Sequence, residues 1–396
     1  MQKLRIFNPE HDLALAFGGT NYTPPPMARI LRRDMQLLPI WFSQSGDSVL
    51  SQNADTDCEW LKRINSQYQL GINVASVNDV AQYDAFAPWG WNKYIRRRLF
   101  LDGANENDLP TETQIDTIRD LSHRRISIEI HRRFLALVPS LRDITPVECF
   151  SLDEVLRFVN SHPVAYTKAP WSSSGKGIYR AIEPDGLDFT RWVSGIIKRQ
   201  GSIMCEKPLK AVLDFAMEFE CANGQTQFIG YSVFNNDTHS SYSGGMVACS
   251  DFLHKKITDT LGNENLINDI RSAAIKIIDT LIAPHYTGYL GLDMMIYLDA
   301  DNTLQVNPCI ELNLRTTMGV VSSIIGNRIV APHSHGIFNV EFHKSVISAD
   351  YVAELERNNP LKFSNDGKII SGTQFLAPLY DDSQYCAYIQ IFESSL

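Results

Sequence analysis

Apolar residues near the start of the chain come in short runs separated by polar breaks. Lys3 to Phe7 reads as a short strand, and Asn8-Pro9-Glu10-His11-Asp12 ends it with a polar segment. After Gly18-Gly19 and Pro24 to Pro26, the pattern predicts a helix over about Met27 to Met35 and a second strand over Leu37 to Phe42. Strands alternating with helices imply an α/β unit over residues 1–90. Trp89 to Leu101 starts as a turn and continues as a basic helix opened by Trp91-Asn92-Lys93. A polar stretch from Asp102 to Pro110 precedes a mostly helical run, Thr111 to Leu137, with an Arg- and His-rich face. That face reads as a solvated helix surface, with contact to an acidic ligand as the alternative.

The middle of the chain alternates again. Ser151-Leu152-Asp153-Glu154 is a capping pattern with an acidic first turn, opening a helix to about Val159. Strands are predicted at Val164 to Lys168, Ile203 to Glu206, Phe215 to Cys221 and Gln227 to Phe234. A long amphipathic helix follows over about Glu264 to Ile282, with Leu266, Ile270, Ala273, Ile277 and Leu281 at three- and four-residue spacing. Two strands come next, Gly291 to Leu298 and Leu304 to Asn313, and beyond Gly336 only Tyr388 to Phe392 is strand-like.

Length and composition narrow the class. A chain of 396 residues suits two or three packed units. Its 44% hydrophobic and 20% charged content is that of a folded protein. The formal net charge of -9 repels phosphate backbones, so no nucleic-acid partner is expected. No apolar segment approaches the roughly 18–20 residues of a bilayer span, so no membrane partner is expected either. The 7 cysteines are scattered without a CxxC pair, which suits reduced thiols and a cytoplasmic location.

Three clusters carry candidate chemistry. In the first, a strand delivers Lys168 and a loop of small residues follows: Ser172, Ser173, Ser174, Gly175, Lys176 and Gly177. Small residues let backbone N–H groups approach phosphate oxygens, and lysines add charge. The glycine spacing is not that of a Walker A loop, and alone the segment equally fits an ordinary hairpin. In the second, Met204-Cys205-Glu206-Lys207-Pro208-Leu209 ends a strand at a proline, which frees backbone groups to read an adenine edge, although alone the segment fits a plain strand end with a surface Glu and Lys better. Asp214 lies just beyond, where a carboxylate can accept from ribose hydroxyls. The third is the strongest. Asp293 sits within an apolar strand, and Glu311, Asn313 and Arg315 follow at alternate positions of another, on one predicted face. Hard oxygen ligands at Asp293, Glu311 and Asn313 suit Mg²⁺ against nucleotide phosphates, and Arg315 suits charge on a transferring phosphoryl group. The bland alternative is a polar strand face with an internal Glu–Arg pair.

Taken in order, these clusters resemble the ATP-grasp superfamily, which includes D-alanine–D-alanine ligase, biotin carboxylase and the purine-synthesis carboxylases. The resemblance runs from about Asn92 to Arg328. It implies an α/β (α+β) ATP-grasp fold with an N-terminal pre-ATP-grasp domain at 1–90, an ATP-grasp domain at 91–335 with an insertion at about 102–137, and a C-terminal extension at 336–396 packed on the core. By resemblance, Lys168 contacts the α- and β-phosphates and Ser172 to Gly177 cover the triphosphate. Glu206, with Lys207 and Leu209, holds adenine, and Asp214 holds ribose. Asp293, Glu311 and Asn313 hold one or two Mg²⁺ ions, with Mn²⁺ as a substitute, and Arg315 meets the acyl-phosphate or the γ-phosphoryl group. The activity implied is ATP-dependent activation of a carboxylate as an acyl-phosphate and its coupling to an amine or similar nucleophile; the partners expected are small-molecule carboxylate and amine substrates, or a peptide, and a second copy of the chain in a homodimer. Two alternatives stand beside it: a small-molecule kinase on the same fold, and a non-catalytic nucleotide-binding module. His11 and Asp12, after the first strand, are candidates for contact with the acceptor substrate, or else a capping turn. His333 and His335 read as structural or surface residues.

Overall fold

The computed structural model describes residues 2–172, 177–182, 186–236 and 242–393. Four three-residue strands open the chain: β1 (Leu4–Ile6), β2 (Ser48–Leu50), β3 (Asn73–Ala75) and β4 (Phe86–Pro88). They pair in parallel in the order β3-β2-β1-β4. All three residues of β1 are buried, as expected where connections cover both faces of a parallel sheet. Arg5, buried among them, is held by Asp47 at 2.9 Å.

Two local expectations change here. The run Leu37 to Phe42 is not a strand, because Leu38–Phe42 forms a 3₁₀ turn with Pro39 near its start. All five residues of that turn are buried. An unbroken apolar run carries no periodicity to separate a buried strand from a buried helical turn. The polar break after β1 also contains a helix, His11–Phe17, closed by Gly18 at φ +74°.

A second sheet holds β5 (Val147–Cys149), β6 (Ala165–Lys168), β7 (Ile178–Ala181) and β8 (Ile203–Glu206), antiparallel in the order β5-β8-β6-β7. The helices Leu152–Asn160 and Leu187–Gln200 bury Val155, Val159, Phe189 and Val193 against it.

The third sheet has nine strands: β9 (Lys210–Ala222), β10 (Gln225–Asn236), β11 (Tyr242–Ala248), β12 (Gly288–Leu298), β13 (Leu304–Asn313), β14 (Ser334–Phe342), β15 (Lys362–Phe363), β16 (Ile369–Phe375) and β17 (Tyr385–Glu393). Their order is β13-β12-β9-β10-β11-β14-β17-β16-β15. Residues after Gly336 thus lengthen this same sheet. Alternation sorts its two faces. Phe215, Met217 and Phe219 of β9, with Leu292, Met294 and Ile296 of β12, share a core with the helices Ser250–Leu261 and Glu264–Leu281. Each such side chain contributes about 1.5–3 kcal/mol when fully buried. The helices Glu112–Leu121 and Ile126–Leu137 join that core through Ile118, Ile130 and Phe134. Helix Met318–Ile329 shares a separate core with Trp41, Phe42 and Trp89, which ties the first unit to the large sheet.

The Arg- and His-rich stretch departs from its reading as a solvated face. Arg125 and Arg132 do face solvent, but His123, Arg124 and His131 are buried. The helix pair is covered by the large sheet on one side and by residues 169–171 on another, and single-helix periodicity identifies only one covered side.

Candidate functional site

Antiparallel pairing sets Asp293 directly opposite Glu311 across β12 and β13. It sets Gly291 opposite both Asn313 on β13 and Glu218 on β9. Residues opposite one another, or two apart, share a sheet face. Glu218, Asp293, Glu311 and Asn313 therefore face the same way, opposite to the packed Met217, Leu292 and Leu312. Asp214, two residues beyond Ala216 on β9, lies on this face as well.

Glu218 was not singled out in the sequence. It is 1% exposed, and its carboxylate accepts from Ser232 Oγ at 2.7 Å and from Thr317 Oγ1 at 3.0 Å. Thr317 also caps helix Met318–Ile329, accepting from the Val320 N–H at 2.9 Å. A Cβ at Gly319 would lie 1.9 Å from Glu218 Oε1, so only glycine lets the helix start this close to the carboxylate. Burial, against those two hydrogen bonds, pushes Glu218 up to about 7. Burial, then Glu311 and Glu218, push Asp293 up to about 8. The one available signal was a Glu at an alternate position of an apolar run, in Phe215 to Phe219, where a charge has no packing purpose.

Asn313 donates from Nδ2 to Asp293 Oδ2 at 3.0 Å and accepts from Arg315 Nη2 at 3.1 Å. Arg315 is not a third residue on the strand face, because β13 ends at Asn313 and the chain turns. Its guanidinium returns to the site and donates from Nε to both Asp12 oxygens at 3.0 Å. Burial works against the Asp12 charge, but Arg315 and then His11 outweigh it and hold the carboxyl low. His11 contacts Asn92 through Nδ1 at 3.2 Å, and burial holds its imidazole down to about 4. Asn92 in turn caps helix Lys93–Leu101, accepting from the Ile95 N–H at 2.9 Å. The polar segment after β1 therefore reaches the strand-end cluster, 303 residues away in sequence.

Arg124 is the second residue that sequence reasoning missed. It donates from Nη2 to Glu311 Oε1 at 2.8 Å and from Nη1 to the Ala169 carbonyl and Ser172 Oγ, both at 2.6 Å. Its Nε is buried with no hydrogen-bond partner among the described residues. Ser172 and Gly177 bracket the small-residue loop. A Cβ at Gly177 would come within 2.2 Å of the Ser172 side chain. Ser173, Ser174, Gly175 and Lys176 lie outside the described residues. Lys168, at the end of β6 and 7% exposed, pairs with Glu206 at 2.6 Å. Lys207 is exposed and Leu209 half-buried just past β8. Beneath them His131 Nε2 meets the Cys309 carbonyl at 2.9 Å. A narrow cleft of about 20 Å³ runs between His11, Asp12, Trp171, Ser172, Glu311 and Asn313. His333 is exposed, and His335 stacks on Phe252, apart from this cluster.

Among the described residues no helix is long and apolar enough to cross a membrane. No protein-family model matches the chain, and no curated protein matches it in sequence. Solved structures do match. A biotin carboxylase from Campylobacter jejuni, solved with a β,γ-ATP ligand, covers 100% of this chain and 88% of its own at TM-score 0.56 and 12% identity. The biotin carboxylase domain dimer of Hydrogenobacter thermophilus 2-oxoglutarate carboxylase, solved with MgADP, ADP and bicarbonate, covers 98% and 86% at TM-score 0.52 and 11% identity. Pyruvate carboxylase from Rhizobium etli matches over 98% of this chain and 36% of that one, at TM-score 0.51 and 12% identity. Identity this low speaks to architecture alone, and that architecture, an N-terminal parallel sheet followed by antiparallel sheets, is the ATP-grasp fold.

Proposed function

We propose that the chain is an ATP- and magnesium-dependent carboxylate–amine ligase. The carrying observation is the cross-strand pair Asp293 and Glu311 with Glu218 on the same face. Two of these carboxyls are pushed up to about 8 and about 7, so their negative charge is under-compensated. Hard oxygen donors with unmet charge fit a small divalent cation. Asp293, Glu311 and Asn313 would hold one or two Mg²⁺ ions, with Mn²⁺ as a substitute; once bound, the metal would neutralise phosphate charge.

The chain's own residues take the remaining roles. Lys168 exchanges Glu206 for the α- and β-phosphates, while Glu206, Lys207 and Leu209 border the adenine and Asp214 the ribose. Ser172 to Gly177 cover the triphosphate. A cleft of about 20 Å³ admits little more than a water, so nucleotide entry parts the contacts of Arg124 with Ser172 and Glu311. A substrate carboxylate oxygen attacks the γ-phosphorus and ADP leaves. The amine nitrogen then attacks the acyl carbon, inorganic phosphate leaves with the bonding pair, and the nitrogen gives up a proton. Arg315 stabilises the acyl-phosphate, and His11 and Asp12 orient the acceptor. In this reading residues 1–90 carry the acceptor side, 91–335 the nucleotide with 102–137 inserted, and 336–396 support the sheet. The working form is a cytoplasmic homodimer acting on small molecules.

ADP and free phosphate are measured across a panel of acids and amines. Release of both only when acid and amine are together supports the ligase. A stable phosphorylated product with ADP but no free phosphate makes the chain a kinase. No ADP under any pairing, with ATP still bound, leaves a nucleotide-binding module.

A further inference from the structure

A second cavity, of about 320 Å³, opens at the carboxyl ends of β1, β2 and β3. Its rim includes Asn8 after β1, Ser51 and Gln52 after β2, and Ser76 and Asn78 after β3. Parallel sheets present ligand sites at that edge, because successive loops diverge there and leave a crevice. Helices Pro26–Asp34 and Lys93–Leu101 supply the walls. The volume lies within the range of small-molecule sites.

The lining has two parts. Ile6, Phe7, Leu50, Ile95 and Leu99 make an apolar body. Arg32, Arg98 and Asp102 add charge at one side. Arg98 donates from Nε to Asp102 Oδ2 at 3.2 Å, and Arg32 is paired from behind by the fully buried Glu10. Two cations thus meet two carboxylates, so the wall is close to electrically neutral, and of these four groups Arg32, Arg98 and Asp102 line the cavity. A net anion would be attracted by Arg98 but repelled by Asp102. A simple amine would meet the reverse. A zwitterion with an apolar side chain satisfies both poles and fills the apolar body.

We propose that this cavity binds an apolar α-amino acid, its carboxylate on Arg98 and Arg32 and its ammonium on Asp102. The cavity lies close to the cleft described above, since Asn8 lines one and His11 and Asp12 line the other. Binding here stands independently of the ligase reading. Only the further role, as the amine that reading requires, rests on it.

Calorimetry on the full chain without nucleotide tests the site. The probes are L-leucine and L-phenylalanine, their decarboxylated amines, and their des-amino acids. The amino acids should bind saturably, and both sets of truncated analogues at least about tenfold more weakly. Arg98→Gln should weaken binding by about tenfold. Val77→Trp should block the mouth without disturbing the core, because Val77 is 41% exposed. A fluorescent ATP analogue should still bind Val77→Trp normally. Absence of amino-acid binding, equal binding of a des-amino acid, or full binding to Val77→Trp overturns the proposal. Amino-acid binding with no ADP formation under any pairing keeps this site and removes the ligase reading. ADP formation without amino-acid binding removes this site alone. Incorporation of the bound amino acid into product marks it as substrate, and binding without incorporation as an effector.

Discussion

Two side-chain clusters on the large sheet bring possible metal ligands together, and their electrostatics differ. Glu341, His343 and Cys386 are the only group of three His, Cys, Asp or Glu side chains, among the described residues, whose ligand atoms lie within 4.8 Å of one another. Yet Glu341 already accepts from Tyr351 and Tyr388 hydroxyls at 2.6 Å each, and from His343 Nε2 at 3.3 Å. Burial works against its charge, but the two tyrosines and then His343 outweigh it and hold it low. Its charge is met. Around Asp293 the donors sit on three strands and are less tightly gathered, but Asp293 and Glu218 are pushed toward neutrality. Proximity of ligand atoms marks where a cation fits, and unmet charge marks where one is needed.

The comparison breaks most directly by mutation. Glu311→Gln should lower turnover by about 10²–10³-fold, as for loss of a group that stabilises transition-state charge. Glu341→Gln should leave turnover within about threefold, in line with a residue remote from chemistry. Steady-state kinetics at saturating Mg²⁺ decides; comparable losses in the two variants would dissolve the distinction.

Nucleotide binding gives the next largest effect. Lys168→Ala should weaken ATP binding by about tenfold or more, since a charge-assisted contact contributes about 1.5–3 kcal/mol. Calorimetry that shows unchanged affinity removes Lys168 from the phosphate site. Asp293→Asn should make binding of a fluorescent ATP analogue less dependent on Mg²⁺. In the native chain, EDTA should weaken that binding sharply, because carboxylates and phosphates about 4 Å apart repel by roughly 1–4 kcal/mol in a solvated site. Equal affinity with and without EDTA would make Asp293 a plain strand residue.

The pH dependence of stability sharpens the contrast through its sign. Burial pushes the folded Glu218 carboxyl up to about 7 from an ordinary 4.5. Across that window the folded chain keeps a proton that the unfolded chain has lost, so metal-free stability falls as pH rises, by on the order of 3 kcal/mol. Glu218→Gln should make that decline shallower in urea titrations between roughly pH 4.5 and 7, leaving the part that Asp293 contributes. Glu341 has the opposite sign. Its carboxyl is held low, so its contribution is present above the ordinary value and lost as pH falls, and Glu341→Gln should alter only the acid side. A change of slope of the same sign in both variants, each measured against the native chain, would contradict the comparison.

Much of the site was legible in the chain because it depends on short-range patterns. A strand's period of two puts Asp293 in an apolar run, and it puts Glu311 and Asn313 on one face. The order of lysine strand, charged hinge and acidic strands carried the resemblance to the ATP-grasp fold, and that fold is present. The Ser151 cap and the long helix Glu264–Leu281 follow from capping and periodicity alone. What stayed hidden depends on distant segments meeting. Glu218 looks like an ordinary strand residue until β9 pairs with β12 and Gly319 brings a helix start against it. Arg124 looks like one more surface arginine until its helix pair packs on the large sheet and its guanidinium spans Glu311 and Ser172. Asp12 and Arg315 meet across 303 residues. Period and capping are properties of neighbouring residues, so the sequence alone determined which faces carry the charges. Burial and pairing are properties of whichever segments the fold brings together, so only the tertiary structure decided which of those charges are left unmet.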